Sequence, residues 1–165
     1  MSSPQEKLKQ ELTKLWTGEL AAVVSFWACF LVMKVWLTSA QAVLSVIYPL
    51  LTLSFILVQG SVYWWILLKR LSRPKFAGGH TGKIYRVLKM IDVLLLLSGL
   101  PVILINHTNT AVTVLAVFIW VFAIIEWINY YEIRLSYSYN PMILLGHIKN
   151  GTLKKSRLAR EIAAG

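Results

Sequence analysis

Two carboxylates inside otherwise apolar segments are the strongest candidates for chemistry in this chain. Asp92 and Glu126 each interrupt a long run of aliphatic and aromatic residues. Ionisable groups are costly in hydrocarbon, and in membrane segments they commonly mark an ion path, a proton relay or a ligand site. Two carboxylates that lie close together can share a proton or bind a cation.

The depth of these residues can be counted from the uncharged turn at residues 106–109. If helices lead into and out of this turn, Asp92 lies about 21 Å and Glu126 about 24 Å from it, at ~1.5 Å per residue. Gln59 reaches a similar layer when counted along the preceding segment, and Asn129 lies one turn deeper than Glu126 on the same face. The sequence therefore predicts an inward-facing polar pocket lined by Asp92, Glu126, Gln59 and Asn129.

A second interpretation gives the same carboxylates a purely structural role. Asp92 can pair with Lys89, one helical turn away, and Glu126 can bond Asn129 or Tyr130 to stabilise helix packing. The sequence does not fix how each helix is rotated about its own axis, so both interpretations stand.

The only long polar interruption in the middle of the chain, residues 69–89, is strongly basic. Its glycine-rich part differs from a phosphate-binding loop, because Ala77 stands where the first glycine belongs and Ile84 replaces the Ser or Thr. We expect either a solvated loop or a loop whose amides and cations hold a lipid phosphate. The candidate phosphate contacts are Arg70, Arg73, Lys75, Lys83, Arg86 and Lys89.

Motifs for metals, cofactors and catalysis are missing from the sequence. The one cysteine, Cys29, lies in an apolar run, and the three histidines are scattered over different segments, so no disulfide or metal set is predicted. No nucleophile and base can be placed on a common helix face. We therefore expect no catalytic residues, metal or cofactor, which favours a protein that is not an enzyme.

Composition indicates what kind of structure must hold these residues. Of the 165 residues, 57% are hydrophobic and only 15% are charged, and the mean hydropathy is +0.63. A soluble domain of this size could not bury so much apolar surface, whereas lipid-facing helices require it. The net charge of +10 is concentrated beside apolar segments, in the central stretch and the tail, which argues against nucleic-acid binding.

Four apolar segments predict the fold. We expect an all-α membrane protein, a bundle of four transmembrane helices in two antiparallel hairpins, forming one domain with amphipathic N- and C-terminal cytosolic segments. The uninterrupted part of the third segment, Val93–Ile105, is too short to cross a bilayer, so its helix must extend back from about Arg86 through Asp92. The predicted spans within residues 1–165 are 20–37, 43–68, 87–105 and 111–131, with a basic loop at 69–86 and a tail at 132–165.

Helix signals also occur at both ends of the chain. Ser3 is a helix-capping residue, and the residues after it predict an amphipathic lead-in that either lies on the membrane or extends the first helix into solvent. In the tail, residues 140–150 predict a short interfacial helix. Leu153, Leu158 and Ile162 have the spacing of one face of a last short helix.

The distribution of basic residues predicts the orientation in the membrane. The central stretch and the tail are basic, whereas the other two connections between the apolar segments carry no Lys or Arg. The positive-inside rule then places the central stretch and both termini in the cytosol. The short outer turns and the missing cleavable signal suit a multi-pass protein of a bacterial cytoplasmic membrane.

Three functions are consistent with these features. The first is a non-enzymatic accessory or assembly subunit that contacts anionic lipids and associates with itself or with a membrane-protein partner. The second is a small oligomeric transporter or ion-coupled carrier that uses Asp92 and Glu126. The third is an enzyme that acts on a lipid headgroup with the same carboxylates.

Overall fold

The computed structural model describes residues 4–74, 76–77, 80–133 and 156–164, and the regular elements within these ranges are helices. Four of the helices, α1 to α4, are long and apolar enough to cross a membrane. The prediction of an all-helical chain with four candidate membrane-spanning helices is therefore confirmed. The helices are α1 (Pro4–Met33, followed by a 3-10 turn at Lys34–Trp36), α2 (Ala40–Ser72), α3 (Thr81–Ile105), α4 (Thr110–Tyr131) and α5 (Arg157–Ala164).

Two of the connections between the helices are short and capped. Ser39 accepts a hydrogen bond from the backbone N–H of Ala42 at 3.1 Å and so caps α2. Asn109 accepts from the N–H of Val112 at 2.9 Å and caps α4. These side chains satisfy backbone donors that the first turn of a helix leaves without an internal partner.

The basic connection is shorter than the sequence predicts. Helix α2 continues to Ser72 and α3 already begins at Thr81, so the loop expected at residues 69–86 is reduced to residues 73–80. Arg70 accounts for part of this difference, since its guanidinium donates to the Thr81 hydroxyl at 2.7 Å and to the backbone oxygen of Phe76 at 3.1 Å. These bonds tie the end of α2 to the start of α3.

The predicted N-terminal lead-in is the first part of α1, which runs without a break from Pro4 to Met33. Of the two predicted forms of the lead-in, a segment lying on the membrane and an extension of the first helix, the unbroken helix matches the extension. Ser3, the interfacial helix predicted at residues 140–150, and Leu153 lie outside the described residues.

Helix α2 occupies the centre of the helix packing, because it contacts α1, α3 and α4. Trp27 of α1 donates through Nε1 to the Ser54 hydroxyl at 3.0 Å, and the Ser61 hydroxyl donates to the backbone oxygen of Trp16 at 2.9 Å. Residue numbers thus fall along α1 as they rise along α2, so the two helices are antiparallel.

Helix α3 is likewise antiparallel to its neighbours. Its Ser98 lies 2.6 Å from the hydroxyl of Tyr48 on α2. On the other side, Trp120 of α4 donates through Nε1 to the backbone oxygen of Leu96 at 2.9 Å. Gly99 makes room for the Trp120 ring, since a Cβ at this position would lie 2.6 Å from the indole nitrogen.

The core lies around α2. In the most apolar 18-residue stretch of this helix 56% of the residues are buried, against 6% in the corresponding stretch of α1. Leu53, Ile56, Ile103 and Ala116 are fully enclosed. In contrast, large apolar side chains on the outer faces of the other long helices are exposed, among them Val32, Leu97 and Phe118. Lipid tails solvate such faces, and water does not.

We call the end of the molecule that carries residues 37–39 and 106–109 the turn end. The opposite end, with residues 73–80 and α5, is called the basic end.

Candidate functional site

Asp92 lies in a buried polar cluster that joins α2, α3 and α4. Its side chain is 0% exposed, and its Oδ1 accepts a hydrogen bond from Nε2 of Gln59 at 2.8 Å. Oε1 of Gln59 accepts from the hydroxyl of Tyr131 at 2.5 Å, and the backbone oxygen of Gln59 accepts from the hydroxyl of Tyr85 at 2.8 Å. We call Asp92, Gln59, Tyr85 and Tyr131 the Asp92 cluster.

The geometry of the Asp92 cluster suits helix packing. Both ends of the Gln59 amide are engaged, so truncation of either neighbour would leave a buried polar atom unpaired. Oδ2 of Asp92 makes no hydrogen bond of standard geometry with described residues, and the Tyr131 hydroxyl lies beside this carboxylate. The cluster therefore fixes how three helices are rotated against one another.

Lys89 is not the partner of Asp92 that the structural interpretation predicts. It forms an ion pair with Glu132, at the end of α4. Its ammonium group also lies 5.4 Å from the ring centroid of Trp127, a distance typical of a cation–π contact. Lys89 thus joins the ends of α3 and α4 near the basic end.

Glu126 lies in a different environment from Asp92. It faces a cavity of about 240 Å³ near the basic end, and Asn129 donates to its Oε2 at 3.5 Å. Asp92 and Gln59 do not line this cavity. The structure therefore divides the four predicted pocket residues into two pairs, one in each polar site.

The rotation of α4 explains this division. Glu126 and Tyr131 are five residues apart, which at about 100° per residue places them roughly 140° apart around the helix. Tyr131 points toward the Asp92 cluster, so Glu126 faces away from that cluster. Counting along the helix gives the correct layer but contains no information on this rotation.

We call the space beside Glu126 the basic-end cavity. Three long helices and the segment that starts α5 enclose it, and each contributes to its wall. The lining residues are Leu15 and Glu19 of α1, Tyr63 and Trp64 of α2, Glu126, Asn129 and Tyr130 of α4, and Ser156, Arg157 and Leu158.

Ser156 holds the start of α5 against the end of α4. Its hydroxyl donates to the backbone oxygen of Tyr130 at 2.5 Å and accepts from the N–H of Ala159 at 2.9 Å, as a helix cap. Its own backbone N–H donates to the backbone oxygen of Glu132 at 3.1 Å. Through these bonds, α5 closes the cavity toward the basic end.

Tyr130 is placed in the wall of the cavity by a glycine on α2. Gly60 has no Cβ, and a Cβ there would lie 2.7 Å from the Tyr130 hydroxyl oxygen. The Tyr130 side chain is only 4% exposed. Its hydroxyl faces the carboxyl group of Glu19 but makes no hydrogen bond of standard geometry with described residues.

The cavity combines negative charge with aromatic surface. Glu19 and Glu126, from different helices, are close enough to interact electrostatically. Tyr63 and Trp64 contribute rings whose centroids lie 5.5 Å apart, and the indole N–H of Trp64 is buried without a hydrogen-bond partner among the described residues. Arg157 contributes a positive side chain.

Helix α5 is fastened to the start of α3 and the end of α2. Oε1 of Glu161 accepts from Arg70 at 2.7 Å, and its Oε2 accepts from Tyr63 at 3.1 Å. The backbone oxygen of Ile162 accepts from Arg86 at 2.7 Å. Gly82 allows the close approach, because a Cβ there would lie 2.7 Å from the backbone oxygen of Glu161.

The predicted apolar face of the last helix is confirmed at two positions. Leu158 is 3% exposed, and Ile162 packs against the core. The face is therefore used for docking within the chain.

Three of the six candidate phosphate contacts are occupied within the protein. Arg70 binds Glu161, Arg86 binds the end of α5, and Lys89 binds Glu132. Arg73 and Lys83 are exposed, and Lys75 lies outside the described residues. A role for these side chains at lipid phosphate stays a prediction.

No pattern in the sequence indicates Glu19, Trp64, Tyr130 or Arg157 as site residues. Glu19 precedes the first apolar run, and the aromatic residues have the positions of interfacial belts. The unbroken α1 helix is the feature that brings Glu19 alongside α4. Within the described part of the chain, no three His, Cys, Asp or Glu side chains are grouped so that they could hold a metal ion.

Comparisons of the chain with models of protein families, with curated proteins and with solved structures found no match.

Proposed function

We propose that this chain is a non-enzymatic integral membrane protein that binds a small cation in the basic-end cavity. The observation that carries the proposal is the wall of this cavity. Two carboxylates from different helices, Glu19 and Glu126, line it together with Tyr130, a residue that is almost fully buried and whose hydroxyl faces Glu19.

The charge of the wall favours a ligand with a positively charged group. Among the described residues, the wall contains two carboxylates, Glu19 and Glu126, and one guanidinium. Attraction between opposite charges is stronger in a partly enclosed site than in bulk water, because the effective dielectric constant is lower.

We further propose that the four long helices cross a bacterial cytoplasmic membrane as one bundle, with both termini in the cytosol. Arg73 and Lys83 at the basic end are exposed, which supports the proposal that they contact anionic headgroups. The cavity would then lie near the cytosolic face. This arrangement fits an accessory subunit that responds to a bound ligand, alone, as a homo-oligomer or with a membrane-protein partner.

The transporter interpretation required Asp92 and Glu126 to act in one pocket. Their separation removes that support, because Asp92 is enclosed in a helix-packing cluster. The cation-binding proposal therefore relies on Glu19 and Glu126.

Cation binding can be tested by titration of the purified protein in lipid nanodiscs. We expect at least one member of a panel of Na⁺, K⁺, NH₄⁺ and tetramethylammonium to bind, and Glu126→Gln to weaken that binding about 10- to 100-fold, as expected for loss of a charge-assisted contact. Glu11→Gln is the matched control, because Glu11 is an exposed residue of α1 that does not line the cavity. The proposal fails if no cation in the panel binds in a manner that depends on Glu126.

A further inference from the structure

We infer that the ligand of the basic-end cavity is an organic ammonium group that carries a phosphate close by, such as an ethanolamine phosphate. This inference rests on the proposed cation-binding function and narrows it to one class of ligand. It is based on the aromatic wall, the cavity volume and the position of Arg157.

The aromatic wall favours an organic cation over a metal ion. Tyr63, Trp64 and Tyr130 all line the cavity, and the faces of such rings attract ammonium groups. Dedicated sites for Mg²⁺ or Ca²⁺ instead surround the ion with six or more oxygen ligands. The described wall supplies only two acidic side chains, Glu19 and Glu126, and no three His, Cys, Asp or Glu side chains are grouped among the described residues.

The volume fits a small organic molecule. About 240 Å³ is below the range of roughly 300–1,000 Å³ for pockets that hold drug-sized ligands. An amino alcohol or its phosphate ester is of this size.

Arg157 indicates that the ligand also carries a negatively charged group. Its side chain is exposed and lines the same cavity as the two acids. A guanidinium is well suited to bind a phosphate in a bidentate manner. A ligand with ammonium at one end and phosphate at the other would match the carboxylates and Arg157 together.

Two sources can supply this chemistry, a soluble phosphorylated amino alcohol and the headgroup of a phospholipid. Leu15 and Leu158 give the cavity apolar walls, and Glu19 lies where the first apolar run of α1 begins. In the proposed orientation this level is close to the membrane interface. The ligand chemistry is the same for both sources, so the experiment must separate them.

The first arm uses nanodiscs of phosphatidylglycerol, which contains no ammonium group. Ethanolamine, phosphoethanolamine, Na⁺ and K⁺ are titrated separately, with Trp fluorescence and calorimetry as readouts. We expect phosphoethanolamine to bind more tightly than ethanolamine, and both to lose about 10- to 100-fold in affinity in Glu126→Gln. Arg157→Met should lower the affinity for phosphoethanolamine and leave that for ethanolamine unchanged.

The second arm adds phosphatidylethanolamine to the nanodiscs. If the headgroup is the ligand, this lipid should lower the apparent affinity for phosphoethanolamine and remain bound to the wild type, but not to Glu126→Gln, in mass spectra after detergent extraction. If the soluble compound is the ligand, the added lipid should have no effect. Either result supports the inference that the basic-end cavity binds an ammonium group.

The outcomes separate this inference from the proposal on which it rests. If Na⁺ or K⁺ binds in a Glu126-dependent manner and neither ammonium compound binds, the inference is overturned and the cation site stands. If none of the compounds binds, both are overturned. Unchanged unfolding temperatures of the variants without ligand serve as the control for folding.

Discussion

Asp92 and Glu126 occupy apolar helices at similar depth, but their surroundings give them different roles. Asp92 is fully enclosed and bonded to Gln59, which is itself bonded to Tyr131. Glu126 faces a cavity that also contains Glu19. A buried polar group that is held by neighbours stabilises packing, whereas groups around a cavity are available to a ligand.

A double-mutant cycle tests the packing role of Asp92. Asp92→Ala leaves Nε2 of Gln59 without its acceptor, which should lower the free energy of unfolding by about 1–3 kcal/mol. Gln59→Leu should act in the same direction. Because the two side chains contact each other, we expect a coupling of about 0.6 kcal/mol, the average for such bonds between membrane helices, and of at most about 1.7 kcal/mol. Unfolding in mixed micelles gives the required free energies. Strictly additive effects would show that the bond contributes nothing to stability.

The sequence could predict the residue types and the depth of the two polar sites, but not their separation. Depth follows from counting residues along α3 and α4. Rotation depends on contacts such as Gly60 with Tyr130, which involve residues 70 positions apart. Glu19 was missed for the same reason, since its neighbour on α4 becomes apparent only when α1 is packed.

At the scale of the elements, the docking of α5 connects the basic connection with the cavity. Leu158 is buried, Glu161 binds Arg70, and Ser156 binds the end of α4. The apolar spacing of the last helix was evident in the sequence, but its docking position was not. That position depends on Gly82, whose missing side chain lets the backbone of α5 approach α3.

Substitution of Gly82 tests this docking. In Gly82→Ala the new Cβ would lie 2.7 Å from the backbone oxygen of Glu161, closer than real side chains allow, so α5 must move. We expect faster amide hydrogen exchange in residues 157–164 and little change in α2. Gly18→Ala is the control, because no atom lies within 4 Å of a Cβ at that position. Unchanged protection of α5 in Gly82→Ala would contradict the described docking.

At the scale of the whole molecule, hydropathy predicts four long helices because membrane-scale apolar runs are the strongest signal in a sequence. The boundaries at the basic end were less accurate. The sequence predicts that Arg70 and Arg86 face solvent or lipid phosphate, and that Lys89 either does the same or pairs with Asp92. The structure uses all three to hold helices together. Charged residues close to a helix end do not by themselves reveal whether their partner is lipid or protein.

The orientation in the membrane can be measured by cysteine labelling. In a Cys29→Ser background, we expect Thr38→Cys and His107→Cys to react with an impermeant thiol reagent added to intact cells, because both lie at the turn end. Arg73→Cys and Arg160→Cys should react only after the membrane is opened, since the positive-inside rule places the basic end in the cytosol. Labelling of Arg73→Cys in intact cells would contradict the predicted orientation, because it would place the basic end outside the cell.

The most direct test of the division into a packing cluster and a binding cavity is thermal unfolding with and without phosphoethanolamine. We expect Glu126→Gln to unfold at the wild-type temperature without ligand and, at the same ligand concentration, to be stabilised by only about 0.4–1.4 kcal/mol, as follows from a 10- to 100-fold weaker Kd. Gln59→Leu should unfold at a lower temperature but keep the ligand-induced stabilisation, which is about 2.7 kcal/mol at 100 times the Kd. The opposite pattern, with the shift lost in Gln59→Leu and kept in Glu126→Gln, would contradict the assignment of both polar sites.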